Sequence, residues 1–177
     1  MTTRRHLAVI DMQEVFADPR SEWATPGFAA IVPTVRALID AFAPDVTFTR
    51  FIAPAEPQGA WRDYYELWPF ALQPPDAPLY CMADGFDPDT TIDATTFSKW
   101  GPELAARVGD TMLVLAGVST DCCVLSTAVA AADAGVAVRV VADACAGVDE
   151  DSHRKTLDVL ELYGPLVKVV KSADLLG

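Results

Sequence analysis

Short apolar, β-branched runs alternate along the chain with longer amphipathic or Ala-rich stretches. The runs at 7–11, 46–52, 111–118, 136–142 and 166–170 predict strands, with a weaker one at 91–95. The stretches at 28–42, 102–108, 121–134 and 150–163 predict helices, and Gly109, Gly135 and Gly164 stand where helices stop. Strands that are continuously apolar, rather than alternating, suit a parallel sheet covered on both faces. Regular alternation of strand and helix then predicts one doubly wound α/β domain over residues 1–177.

The segment 53–89 breaks this rhythm. It carries Pro54, Pro57, Pro69, Pro74, Pro75, Pro78 and Pro88 together with Trp61, Tyr64, Tyr65, Trp68 and Phe70. So long an irregular excursion is uncommon in a compact domain and is often functional. Its aromatic residues either pack onto the body or a partner subunit, or form the wall of a substrate pocket.

Composition removes several function classes. Hydrophobic residues make up 51% of the chain, which excludes a disordered protein. A formal charge of −12 sets the average surface against a nucleic-acid backbone or an anionic membrane. No apolar run is long enough for a membrane span, and the first residues lack a signal-peptide core. Cys81, Cys122, Cys123 and Cys145 show no C-x-x-C spacing, so free thiols in a cytoplasmic protein are expected.

Ligands of parallel α/β sheets bind at the carboxyl ends of the strands. Asp11 ends the first predicted strand, Arg50 lies near the end of the second, and Lys99 follows the weak one. Ser119 to Cys123 follow the run at 111–118 and open the Ala-rich helix. An acid, cations and thiols therefore share one rim. A cysteine in a first helical turn faces unpaired N–H groups and the positive end of the helix dipole. Both favour thiolate, as does a nearby ammonium such as Lys99. The same N–H groups suit an oxyanion hole, and Asp11 suits proton transfer. Helix geometry alone does not separate Cys122 from Cys123.

The segments L-A-V-I-D-M-Q over 7–13 and G-V-S-T-D-C-C-V-L-S-T-A over 117–128 resemble the isochorismatase-like cysteine hydrolases. The similarity continues through A-D-A-G at 132–135, the strand leading to Asp143 and Ala144, and His153, and it is weakest over 53–89. The resemblance implies a parallel sheet of about six strands with helices on both faces, and a homo-oligomer, dimer or tetramer. It implies a catalytic Asp11, a catalytic lysine and Cys123, the thiol immediately before Val124. It also implies backbone N–H groups of Ser119 and Cys123 as the oxyanion hole, and a cis peptide at Val118–Ser119.

Two departures from the family pattern matter. The expected lysine position holds Ala94, and Lys99 stands five residues later between the matching Ser98 and Trp100. Either a long flexible side chain returns the ammonium to the same site, or the triad is incomplete. Metal-binding relatives carry histidines after the second strand, whereas this chain has only His6 and His153, so no metal and no cofactor are expected. Arg50 is a candidate anchor for an acidic substrate or else a structural ion pair. Trp61 and Trp100 are the candidate pocket aromatics, His153 reads as structural, and Thr120 and Asp121 read as helix caps.

The expectation is a metal-independent cysteine hydrolase of a small-molecule C–N bond, of amide, carbamoyl or ureido type, working through a thioester. The alternatives are a catalytically impaired binding protein of the same fold, supported by Ala94, and an isochorismatase-type vinyl-ether hydrolase. The expected partner is a small molecule, with neither nucleic acid nor membrane.

Overall fold

A computed structural model describes residues 4–177. Six parallel strands run β1 (Arg5–Ile10), β2 (Val46–Phe51), β3 (Thr91–Ala94), β4 (Met112–Val118), β5 (Val138–Ala146) and β6 (Val167–Val170). Their order across the sheet is β3-β2-β1-β4-β5-β6. The chain thus builds outward from β1 to one edge, then returns to β4 and builds to the other. Loops leaving β1 and β4 diverge at this switch point, and the divergence opens a crevice.

Both faces of the central strands are covered, which is why their sequences do not alternate. Leu7 and Val9 of β1 join Val114, Ala116 and Val118 of β4 on one face. Ala8 and Ile10 join Leu113 and Leu115 on the other. The first face packs against α2 (Phe28–Phe42), whose Phe28, Ile31, Val35, Leu38 and Phe42 form one buried stripe at helical spacing. The second face receives α4 (Pro102–Val108), α5 (Leu125–Asp133) and α6 (Glu150–Glu161). Ala128, Ala131 and Ala132 let α5 approach the sheet closely. Among the described residues, no helix is long and apolar enough to cross a membrane.

The predicted strands and longer helices are present, with shifted ends. β5 runs to Ala146 rather than 142 because Asp143 continues the strand. Its carboxylate accepts from the Ser172 N–H at 2.7 Å and from the Ser172 hydroxyl at 2.7 Å. Four-residue helices α1 (Glu14–Ala17) and α7 (Ala173–Leu176) were not expected, and neither was α3 (Trp61–Leu67) inside the Pro-rich segment. Residues 120–124 form a wide π-type turn ahead of α5 instead of the start of a regular helix.

Candidate active site

The ends of β1 and β4 lie side by side, with Ile10 in register with Gly117. Gly117 has φ +118°, and a Cβ there would sit 2.1 Å from the Ile10 carbonyl oxygen, so only glycine permits this approach. Asp11, the next residue after Ile10, has φ +49° and is the one non-glycine residue with positive φ among the described residues. Asparagine and aspartate tolerate this conformation better than most residues, and it commonly marks a functional turn.

The Asp11 side chain is completely buried. The Thr49 hydroxyl donates to its Oδ1 at 2.7 Å, and Lys99 Nζ lies 3.0 Å from its Oδ2. That second contact is an ion pair out of line for a hydrogen bond, so Oδ2 keeps an unfilled acceptor direction. Gln13 secures the turn behind Asp11. Its amide nitrogen donates to the carbonyls of Phe51 and Tyr80, each at 3.0 Å, and its Oε1 accepts the Phe51 N–H at 2.7 Å.

Lys99, five residues after Ala94, brings its ammonium to the Asp11 carboxylate. Its side chain is 0% exposed; Nζ donates to the Thr96 carbonyl at 2.9 Å and lies 4.9 Å over the Phe51 ring. A buried ammonium persists only when paired and hydrogen-bonded, and the carboxylate, the carbonyl and the ring meet that need. Its backbone N–H donates to Thr127 Oγ1 at 2.9 Å, and the same hydroxyl donates to the Cys123 carbonyl at 2.6 Å.

Cys123 lies in the wide turn, where the Val124 N–H returns to the Ser119 carbonyl at 3.1 Å. Such π-type turns recur at functional sites. The Val118–Ser119 peptide is cis. The surroundings of the sulfur oppose the expected thiolate. Burial first, and then the Asp11 charge, push the Cys123 thiol well above its ordinary range, with Lys99 opposing them. Desolvation of the sulfur therefore works against the helix end. The neighbouring Cys122 is pushed up to about 11 by burial and by Asp121.

Thr120 and Asp121 do not cap the turn. Instead the Thr120 hydroxyl meets His153 Nδ1 at 2.8 Å, and Asp121 Oδ1 accepts the Val148 N–H at 2.8 Å. Both side chains tie the turn that holds Cys123 to α6 and the loop before it.

Cys123 opens into a cavity of about 300 Å³. Phe16, Trp23, Phe51, Tyr64, Trp68 and Phe97 form its walls, and Ser119, Asp121 and Cys122 continue its floor. Tyr64 and Trp68 come from the 53–89 segment, so that excursion builds pocket wall. The three substrate-binding expectations lie elsewhere. Arg50 does not line the cavity; its Nε donates to Asp93 Oδ1 at 2.9 Å, and its Nη1 reaches the Tyr80 carbonyl at 3.3 Å. Trp61 stands one layer back, packed on Tyr64 and Phe97 at 5.2 Å each. Trp100 packs against the core cluster on the α4/α5 face of the sheet.

Thr49 and Trp23 are functional neighbours that sequence reasoning missed. Period-two alternation along β2 held the signal for Thr49, because a half-exposed Arg50 requires a buried Thr49 beside it. Trp23 lies in a turn with no periodic signal. No group of three or more His, Cys, Asp or Glu side chains suited to a metal ion occurs among the described residues.

Known structures share this fold. A cysteine hydrolase from Pseudomonas syringae pv. phaseolicola 1448A superposes with a TM-score of 0.83 at 22% identity, covering 98% of this chain and 91% of that one. An isochorismatase family protein from Desulfovibrio vulgaris subsp. vulgaris str. Hildenborough gives 0.83 at 22% identity, covering 98% and 96%. The pyrazinamidase of Pyrococcus horikoshii, solved in complex with zinc, gives 0.72 at 22% identity, covering 95% and 99%. No curated protein sequence gives a significant match. The isochorismatase domain profile spans residues 6–174, nearly the whole chain, and on that match the chain belongs to the isochorismatase family.

Proposed function

We propose that the chain is a cysteine hydrolase of a small-molecule C–N bond, with Cys123 as nucleophile, Asp11 as proton carrier and Lys99 as the fixed cation of the triad. The observation that carries this reading is the fully buried Lys99–Asp11 ion pair at 3.0 Å, set against the thiol that floors the cavity.

In the first half-reaction the thiol proton passes to Asp11 as sulfur attacks the amide carbonyl carbon, and the carbonyl oxygen takes up the negative charge. The N–H groups of Ser119 and Cys123 are the proposed donors to that oxyanion. The Lys99 ammonium pairs with the Asp11 carboxylate and steadies the charge that moves. Collapse breaks the C–N bond, and the leaving amine takes the proton from Asp11, which leaves a thioester on Cys123. Water then gives a proton to Asp11 and its oxygen to the acyl carbon; the thiolate leaves and is reprotonated. Lys99 in contact with Asp11 supports the hydrolase reading over a non-catalytic binding protein, whose main support was Ala94.

The test is acyl capture. Intact-mass spectrometry after rapid acid quench with an activated aryl amide is expected to show one acyl adduct on Cys123 and none in Cys123→Ala. An adduct that persists in Cys123→Ala, or hydrolysis within about threefold of the original rate in that variant, overturns the assignment.

A further inference from the structure

We infer that the cavity selects a substrate bearing an organic ammonium group, an aminated or quaternary-ammonium amide, and rejects carboxylate-bearing amides. The inference rests on the hydrolase reading and names the substrate class of the same site.

Electrostatics point first in this direction. The residues lining the cavity include two that carry formal charge, Glu22 and Asp121, and both are acidic. Asp121 lies on the floor beside Cys122 and Cys123, where its Oδ1 is held by the Val148 N–H. Glu22 is exposed at the rim, free to close on a bound cation. The nearest buried cation, Lys99, lies behind the Phe51 ring, and its charge is cancelled by Asp11 at 3.0 Å. Arg50, the cation expected to hold an anionic substrate, is engaged by Asp93 away from the cavity. A carboxylate entering here would lose water and meet no cation, which is unfavourable in a low-dielectric site.

The walls supply the complementary half. Trp23 meets Phe51 at 5.6 Å and 78°, Trp68 at 6.3 Å and 69°, and Tyr64 at 5.9 Å and 44°. Phe16 stacks on Trp23 at 11° and Phe97 on Phe51 at 22°, so stacked and crossed rings together line the space. Aromatic faces around a concave space, with a carboxylate at the rim, are the surroundings that bind ammonium and quaternary ammonium groups. A volume of about 300 Å³ lies at the small end of ligand pockets, which run roughly 300–1,000 Å³. The charge of −12 on the whole chain draws cations towards the surface at low salt.

The decisive measurement is calorimetric titration of the full chain, at low ionic strength, with choline chloride and with 3,3-dimethyl-1-butanol, its uncharged isostere. Choline is expected to bind at least tenfold more tightly. Glu22→Gln, a change at an exposed rim position, is expected to weaken choline several-fold and leave the isostere unchanged. Cys123→Ala is expected to bind choline as the original chain does. Equal or tighter binding of the isostere, or no binding of either compound, overturns the inference. Acyl capture on Cys123 is read separately, so a chain that forms the thioester yet ignores choline loses only the substrate class. One that binds choline and forms no adduct loses only the hydrolase reading.

Discussion

Lys99–Asp11 and Arg50–Asp93 are both close ion pairs beside the second strand, and they differ chiefly in how much water they have lost. The first is fully excluded from solvent, whereas the Arg50 and Asp93 side chains remain 21% and 31% exposed. A guanidinium on a carboxylate at the sheet edge has favourable forked geometry and water within reach, so losing it costs little. An ammonium and a carboxylate in the interior each depend on the other, because neither can be left alone without a large desolvation penalty. The two cations looked alike as candidates in the sequence; burial separates them.

The largest expected effect tests that interior dependence. Lys99→Ala strands the Asp11 carboxylate and is expected to cost about 3–5 kcal/mol in urea denaturation. Its amide hydrolysis is expected to fall by at least ~100-fold in kcat/KM. Replacing both partners, Asp11→Asn with Lys99→Met, should recover most of the stability and none of the activity. A cost under about 1 kcal/mol for Lys99→Ala would make the two pairs equivalent and erase the distinction.

A smaller effect is expected at the edge. Arg50→Ala should lower stability by about 1 kcal/mol or less and leave kcat/KM within about twofold. A substrate-specific rise in KM would return Arg50 to the site. Acid titration sharpens the same contrast. Burial pushes the Asp93 carboxyl up, but hydrogen bonds from Arg50 and Thr91 and the Arg50 charge outweigh it and hold it below its ordinary value. A carboxyl lowered in the folded state binds fewer protons there than in the unfolded chain. Its stabilisation is therefore complete above the ordinary carboxylate range and fades as pH falls through the lowered value. Thermal melts from about pH 6 down to about pH 3 should show a smaller loss for Arg50→Ala than for the original chain.

Much of the frame was legible before any coordinates. The buried stripe of α2 and the apolar runs of β1 and β4 carry their periodicity in the sequence, because two covered faces leave no place for polar residues. The Pro-rich segment was legible as an interruption but not as α3, since its prolines and short turns hide one seven-residue helix. The site was legible where a strand end or a helix start fixes a side chain, as for Asp11 and Cys123. It failed where orientation decides, as with Trp61 and Trp100, whose aromatic character does not say which layer they join. It failed again over the burial of Cys123, because desolvation is set by neighbours from distant segments.

Thr127 leaves one more consequence. A single hydroxyl accepts from the amide of Lys99 and donates to the carbonyl of Cys123. The lysine is thereby moored to the helix that bears the sulfur, rather than to the strand from which it departs. The peptide between Ala94 and Ser98 works as a tether rather than a ruler, which accounts for how an ammonium can shift five places along the chain and still arrive at the same carboxylate.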